Sequence, residues 1–222
     1  MSATGWNPAV ADRRAAAVVP ALLFAVLTAL VAARFGPLMR LDAAVSGAAR
    51  RFTPAHPAWH ATMSAITHTG DTNVLLSLAA VALIVLLLRQ HRTGVVFLLL
   101  TVTATSAVRI AVMLLVHRPR PVDRLTATSG FAYPSGHTTS SAIAAGIVIV
   151  LGWTLLSSRR SRFALAAVAG TWALLVGISR VALLAHWPSD VVGGWLLACA
   201  TTAAAALTLM GKRSSPRYST GL

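Results

Sequence analysis

Long apolar runs separated by short polar stretches dominate the pattern along this 222-residue chain. An α-helix needs about 20 predominantly apolar residues to cross the hydrocarbon core of a bilayer. Six runs reach or approach that length, the second of them only when the polar ends of its helix are included. The pattern therefore predicts six membrane-spanning helices, over 15–33, 74–88, 95–116, 138–156, 163–178 and 191–210.

The segment 36–73, between the first two predicted spans, is the longest polar connection in the chain. It sets the apolar positions Leu41 and Val45 against Arg50 and Arg51, which is typical of short helices lying on a membrane surface. A plain amphipathic spacer is the alternative. We predict an all-α fold, a six-transmembrane-helix bundle with a short interfacial helical segment between the first two spans.

The composition agrees with a membrane protein. Hydrophobic residues make up 56% of the chain and charged residues 11%, whereas a soluble domain carries about 25% charged residues. All five acidic residues are Asp, which argues against carboxylate-rich metal centres. The single cysteine, Cys199, excludes an internal disulfide and a cysteine-based zinc site. Both observations argue against metal centres of these two kinds.

A net charge of +14 raises the possibility of a nucleic-acid partner, so the placement of the basic residues matters. Ten of the 19 Lys and Arg residues flank the predicted spans on one side: Arg13, Arg14, Arg89, Arg92, Arg159, Arg160, Arg162, Lys212, Arg213 and Arg217. The positive-inside rule makes that side cytoplasmic. We therefore expect no nucleic-acid partner, a cytoplasmic N-terminus (1–14), a membrane domain (15–210) and a cytoplasmic tail (211–222).

Three polar clusters fall at the opposite, outer ends of the spans, at 117–121, 134–137 and 179–190. Charged groups at a membrane edge are costly and are usually functional. Arginine presents a planar fork of donors that suits phosphate oxygens, so Arg120 and Arg180 are candidates to clamp an anion. Arg118 is a further candidate donor, and contact with lipid headgroups is the alternative for all of them.

Ser135, Gly136 and His137 open the fourth predicted span. The unpaired N–H groups of a helix N-terminus form a ready anion site, and Gly136 lets an anion approach the backbone closely. An ordinary helix cap is the alternative. His186 and Asp190 lie four residues apart, and a carboxylate that holds one imidazole nitrogen leaves the other as a base or nucleophile.

These motifs resemble the type-2 phosphatidic acid phosphatase (PAP2) superfamily, which also includes bacterial undecaprenyl-diphosphate phosphatases and vanadium haloperoxidases. The resemblance is carried by Arg120-Pro121, by Pro134-Ser135-Gly136-His137, and by Ser179-Arg180 with His186 and Asp190 at the family's spacing. It implies that His186 is the nucleophile that forms a phosphohistidine and that Asp190 orients it. It further implies that His137 protonates the leaving oxygen and then activates water. The implied phosphate ligands are Arg120, Ser135, Gly136 and Arg180. The resemblance also implies that neither a metal nor another cofactor is needed, which agrees with the scarcity of acids.

One position departs from the family pattern. The first motif has a Lys seven residues before its Arg, and that position is Met113 in this chain. Arg109 lies one helical turn deeper in the third predicted span, and its long side chain can rise toward the outer face. We expect Arg109 to replace the Lys as a phosphate ligand. Arg118 is the alternative, or the site works with one cation fewer.

The resemblance implies a metal-independent lipid phosphatase or diphosphatase in a bacterial inner membrane, with its site outside the cytoplasm. We expect a polyprenyl diphosphate such as undecaprenyl diphosphate as substrate. Phosphatidylglycerol phosphate, phosphatidic acid and a polyprenyl-linked sugar phosphate are alternatives, and a non-catalytic phospholipid-binding or transport protein is the rival class. The 36–73 segment is a candidate to shape substrate entry through Trp59, His60, His68 and Asp71. Local packing or capping is the alternative for the two histidines. No oligomeric state follows from these patterns.

Overall fold

The computed structural model describes the backbone of residues 8–211 and the side chains of residues 14–208. This part of the chain is all helical, with no strand. Its helices are α1 (Pro8–Ala32), α2 (Gly36–Ala55), α3 (Pro57–Thr69), α4 (Thr72–Leu88), α5 (Arg92–Val116), α6 (Gly136–Leu155), α7 (Arg159–Ala182) and α8 (Pro188–Gly211). Of the predicted terminal segments 1–14 and 211–222, residues 1–7 and 212–222 lie outside the described backbone, and the side chains of Arg13, Lys212, Arg213 and Arg217 lie outside the described residues.

Six stretches of the described chain are long and apolar enough to span a membrane: Arg14–Ala32, Pro57–Leu88, Arg92–Val116, Gly136–Leu155, Arg159–Ala182 and Pro188–Thr208. Large apolar side chains point outward from them, including Leu88, Leu115 and Val168 at 79%, 80% and 71% exposure. A bilayer is the medium in which such surfaces are stable. The predicted six-span, all-α bundle is confirmed.

The segment predicted to be interfacial divides into two helices. Pro57 begins α3, where its fixed backbone angle suits the first helical position, and Gly70 ends it. Helix α2 packs on α3, α7 and α8, whereas α3 packs mainly on α7. Together α3 and α4 form one apolar stretch of 32 residues, Pro57–Leu88, so the second candidate span begins earlier than the predicted 74–88.

Helix α8 lies at the centre of the bundle, against α1, α5, α6 and α7. Two adjacent glycines bring its first turns close to the chain before α6. A Cβ atom on Gly193 would lie 2.7 Å from the Tyr133 ring, and one on Gly194 would lie 3.1 Å from the Thr138 Cβ. Only residues without a side chain permit this approach, which sets the start of α8 beside the start of α6.

Candidate active site

The three polar clusters meet at one end of the bundle. The peptide N–H of Ser135 donates to the carbonyl of Asp190 (3.0 Å), which joins the start of α6 to the start of α8. The N–H of Ala132 donates to the carbonyl of Arg118 (2.8 Å), which closes the loop between α5 and α6. Helices that alternate in direction therefore bring residues from three motifs into one buried site.

His186 lies at the centre of this site and is 2% exposed. Its Nε2 lies 2.8 Å from Nη1 of Arg120. Because a guanidinium only donates, Nε2 must carry the lone pair and Nδ1 the proton. Nδ1–H then donates to the carbonyl of Ala132 (2.8 Å), whereas Oδ2 of Asp190 is 3.5 Å away. The hydrogen bond that orients the His186 ring is thus the one to the Ala132 carbonyl. Asp190, which we expected to orient the ring, contributes a nearby negative charge.

The electrostatic surroundings keep His186 neutral. Burial lowers the pKa of the imidazole to about 4, and the positive charges of Arg120 and Arg180 act in the same direction. The hydrogen bond and the charge of Asp190 oppose this effect without overcoming it. At neutral pH the ring is therefore in the neutral form that nucleophilic attack requires, with its Nε2 lone pair accepting from Arg120.

Asp190 belongs to a buried ion network that reaches α2. Arg118 donates from Nη1 to Oδ1 of Asp190 (2.6 Å) and from Nη2 to Oδ2 of Asp42 (2.5 Å). Asp42 also accepts from the N–H and the hydroxyl of Ser189, at 2.9 and 2.5 Å. The backbone N–H of Trp187 donates to Oδ2 of Asp190 (2.9 Å). One guanidinium therefore balances two buried carboxylates, which engages the donors of Arg118 that we considered for phosphate.

Arg120 is held in a frame of backbone carbonyls. It donates to the carbonyl oxygens of Ser129, Gly130, Phe131 and Ala185, at 2.8 to 3.1 Å. Burial lowers the pKa of this guanidinium, and the positive charges of Arg124 and Arg109 lower it further, while Asp190 raises it. With the bond to Nε2 of His186, all five N–H groups of Arg120 have partners. Arg120 is thus fixed in place among like charges, and it acts on an anion through its positive charge unless one of these bonds is exchanged for a phosphate oxygen.

Arg180 and Arg109 contribute two further cations. Arg180 is 2% exposed and donates from Nη1 to the hydroxyl of Thr67 in α3 (2.6 Å), while its buried Nε has no partner among the described residues. The side chain of Arg109 extends from α5 to the start of α6. A Cβ atom built on Gly136 would lie 3.3 Å from Nη1 of Arg109, which shows how close the guanidinium is to this backbone. Its Nη1 also lies 3.9 Å from the sulfur of Met113. Arg109 therefore lies beside the second motif, where a substitute for the missing Lys would be needed.

The start of α6 supplies the remaining predicted groups. Helix α6 begins at Gly136, with Ser135 as its N-cap residue, and the Ser135 side chain makes no capping bond. The Ser135 hydroxyl instead accepts from the Thr138 hydroxyl (2.9 Å), which leaves its own proton free to donate. Nε2 of His137 lies 2.9 Å from Oδ1 of Asp71, at the N-terminus of α4.

Three residues in this site were not assigned to it by the sequence patterns: Asp42, Thr67 and Asp71. Each belongs to the chain between the first and second predicted spans and contacts a motif residue of later helices. The scarcity of acids could have pointed to Asp42 and Asp71, since each of the five Asp residues is a candidate partner for a buried Arg or His, whereas no sequence signal marks Thr67. Among the described side chains, no group of three or more His, Cys, Asp or Glu is arranged to hold a metal ion.

A neutral buried imidazole among guanidinium groups at a membrane-helix end is an arrangement suited to phosphoryl transfer. A profile of the PAP2 superfamily matches residues 56–214, more than half of the chain. The chain belongs to the PAP2 superfamily. It is a multi-pass membrane lipid phosphatase, a hydrolase of phosphate esters.

Two curated relatives share the same name, phosphatidylglycerophosphatase B. The protein from Bacillus subtilis is 29% identical over 180 residues, which cover 79% of this chain and 86% of the relative. The protein from Haemophilus influenzae is 40% identical over 72 residues, which cover 32% of this chain and 29% of the relative. The second match is therefore confined to a part of each protein.

Solved structures show the same architecture. The crystal structure of a transmembrane PAP2-type phosphatidylglycerolphosphate phosphatase from Bacillus subtilis matches with a TM-score of 0.77 and 27% identity. That match covers 92% of this chain and 99% of the other. Aquifex aeolicus LpxE matches with a TM-score of 0.59 and 21% identity over 78% of this chain and 96% of that one, a likeness of fold alone.

Proposed function

We propose that this phosphatase removes the terminal phosphate of phosphatidylglycerol phosphate through a phosphohistidine formed on His186. The single observation that carries the mechanism is the lone pair on Nε2 of His186, which faces Arg120 at 2.8 Å in a cluster of guanidinium groups. The names of the relatives from Bacillus subtilis and Haemophilus influenzae support the choice of lipid.

In the first half of the reaction, the Nε2 lone pair of His186 attacks phosphorus, and the bond from phosphorus to the lipid oxygen breaks. The leaving oxygen keeps the bonding electrons and takes a proton from the His137 imidazolium. Arg120, Arg180 and Arg109 stabilise the negative charge on the equatorial phosphoryl oxygens. The Ser135 hydroxyl and the first N–H groups of α6, at Gly136, supply neutral donors to the same oxygens.

In the second half, His137 is neutral and takes a proton from a water molecule. The resulting hydroxide attacks phosphorus, the bond from phosphorus to Nε2 breaks, and inorganic phosphate leaves. His186 is restored with its lone pair on Nε2, and His137 is restored as the imidazolium. The cycle consumes one water molecule and needs neither a metal nor a cofactor.

Undecaprenyl diphosphate, placed first by the sequence analysis, has a terminal phosphoryl group that the same donors can bind. Phosphatidic acid and a polyprenyl-linked sugar phosphate share that feature. The residues named above contact the phosphoryl group, so they do not discriminate among lipid tails. These lipids are therefore comparison substrates.

We also propose that both termini are cytoplasmic and that the site faces outward from a bacterial inner membrane. Arg89 and Arg92 lie between α4 and α5, and Arg159, Arg160 and Arg162 lie at the start of α7. These basic residues occur at the end of the bundle opposite to the site, which supports this orientation by the positive-inside rule. The proposed membrane domain comprises residues 15–210, between the two terminal segments.

The test is phosphate release by the purified protein in detergent with EDTA, beside His186→Ala. The substrates are phosphatidylglycerol phosphate, undecaprenyl diphosphate, phosphatidic acid and para-nitrophenyl phosphate. We expect release that resists EDTA, is abolished in His186→Ala, and has its highest kcat/KM with phosphatidylglycerol phosphate. A higher kcat/KM with undecaprenyl diphosphate would overturn the choice of lipid, and activity that survives in His186→Ala would overturn the mechanism.

A further inference from the structure

The C-terminal end of α3 contacts side chains from two different motifs. The Thr67 hydroxyl, in a side chain that is 2% exposed, accepts from Nη1 of Arg180. Asp71, four residues later, accepts from Nε2 of His137 (2.9 Å) through its Oδ1. A segment that precedes all three motifs in the sequence therefore touches both the anion-binding cation and the imidazole that exchanges protons.

Close packing against α7 fixes this end of α3. A Cβ atom on Gly70 would lie 2.6 Å from Cγ1 of Val176, so any other residue here would force the Val176 side chain or the backbone to shift. The indole N–H of Trp172 donates to the hydroxyl of Thr69 (2.9 Å). Asp71 follows directly, so the position of its carboxylate is set by the packing of α3 on α7.

The side chain of Asp71 is not used as a helix cap. Asp71 is the N-cap residue of α4, a position where an Asp carboxylate commonly accepts from the backbone N–H groups of the first turn. Here it makes no such bond. Its Oδ1 faces Nε2 of His137 and its Oδ2 faces Nδ1 of His68 (3.0 Å), so both oxygens are engaged by imidazoles.

The contact defines which nitrogen of His137 is available for chemistry. A carboxylate only accepts, so Nε2 of His137 carries a proton and donates it to Asp71. Nδ1 has no hydrogen-bond partner among the described residues. The proton that His137 exchanges with a substrate is therefore the one on Nδ1.

We propose that Asp71 is a positioning residue for leaving-group protonation, which holds His137 by Nε2 so that Nδ1 delivers the proton to the departing lipid oxygen. This inference rests on the proposed function. When the bond from phosphorus to oxygen breaks, the oxygen keeps the electron pair and the Nδ1 proton neutralises it. Nδ1 then takes a proton from the attacking water in the second half of the reaction.

The test compares Asp71→Asn, which keeps the shape and removes the charge, on two leaving groups. A lipid alkoxide needs a proton to depart, whereas the para-nitrophenolate ion departs without one. We would measure kcat/KM with phosphatidylglycerol phosphate and the pre-steady-state burst of para-nitrophenol, which reports phosphorylation of His186 alone. Because general acid catalysis contributes about 10²–10⁴-fold, we expect the lipid rate to fall at least about tenfold more than the burst rate.

The amplitude of the burst counts the active sites. When kcat/KM is divided by that active fraction, its ratio to the burst rate no longer depends on how much enzyme is folded, so a partly misfolded variant remains informative. Asp123→Asn is the matched control, because Asp123 pairs with Arg50 at 3.0 Å and its side chain is 60% exposed. We expect a wild-type ratio in this control.

Equal losses on the two substrates, or no loss, would overturn the role of Asp71 while leaving the proposed function intact. If wild-type protein releases no phosphate, or if His186→Ala releases as much, the proposed function is overturned and this inference with it. The two failures are therefore distinguished by the wild-type and His186→Ala measurements alone.

Discussion

The network of Asp42, Arg118 and Asp190 provides a strong test, because one guanidinium balances two carboxylates. All three side chains are buried, at 1%, 7% and 0% exposure. Removing one partner of a buried ion pair costs about 3–5 kcal/mol, because it leaves an uncompensated charge. Arg118→Met leaves two such carboxylates, so we expect a loss at the upper end of that range, about 5 kcal/mol.

Asp42→Asn removes one of the two negative charges of the network. The remaining Arg118 and Asp190 then form an ion pair with no net charge. The variant weakens the hydrogen bonds to Arg118 and Ser189, which we expect to cost about 1–3 kcal/mol. In the Arg118→Met background the same substitution removes one of two unpaired carboxylates. The double variant should therefore be more stable than Arg118→Met alone, although each single substitution destabilises the protein.

The assay is thermal unfolding in detergent at one fixed pH, for wild type, both single variants and the double variant. A loss of 1 kcal/mol shifts the midpoint of a domain this size by about 2–4 °C, so Arg118→Met should melt about 10 °C or more below wild type. A double variant that loses the sum of the two single effects would refute the network reasoning.

Kinetics on Arg118→Lys separates positioning from direct phosphate binding. A lysine ammonium cannot hold both carboxylates in the geometry of the guanidinium fork. We expect kcat to fall while KM stays within about twofold, because Arg118 acts on Asp190 and not on bound substrate. A raised KM with unchanged kcat would assign Arg118 to the phosphate instead.

Two further predictions concern Arg109 and His186. Arg109→Ala should lower kcat/KM for a lipid phosphate by about 10²–10³-fold, which is the cost of losing one hydrogen-bond donor to the transition state. Met113→Lys in that background should restore part of the loss. Unchanged kinetics in Arg109→Ala would show that Arg109 does not belong to the site. The pKa of His186 is lowered to about 4 in the folded protein, so its neutral form should support phosphorylation well below pH 6, measured as the burst of para-nitrophenol between pH 5 and 8. The unfolded chain binds a proton at about pH 6.5, so the contribution of the buried neutral ring to stability is fully present above that pH and declines as pH falls toward 4, by about 3 kcal/mol in total. The unfolding midpoint of His186→Gln should accordingly fall less than that of wild type between pH 7.5 and 5, and parallel curves would contradict this assignment.

The membrane architecture could be predicted from the sequence because it depends on a local property. Whether a run of residues can cross a bilayer is decided by its length and polarity, which require no knowledge of neighbouring helices. The second span shows where this reasoning stops. Its apolar stretch extends back to Pro57 through a break at Gly70, and the packing of α3 on α7 is what determines the conformation there.

The motif residues were likewise recognisable from short-range spacing. Ser135, Gly136 and His137 are contiguous, and Arg180, His186 and Asp190 lie within one helix end and the following turn. The partners of these residues were not recognisable in this way. The contacts of Asp42 with Arg118, Thr67 with Arg180 and Asp71 with His137 join positions 76, 113 and 66 residues apart.

The sequence by itself determined that this chain spans a membrane with its polar chemistry at one end of the helices. Tertiary structure alone decided which donors are free. Arg118 is engaged by two carboxylates, whereas Arg180 keeps an Nε without a partner among the described residues. His186 makes its orienting hydrogen bond to the carbonyl of Ala132, and not to Asp190. The physical reason is that these hydrogen bonds depend on ångström-scale geometry between segments that are far apart in the sequence. Burial in lipid depends only on the hydrophobicity of one continuous segment.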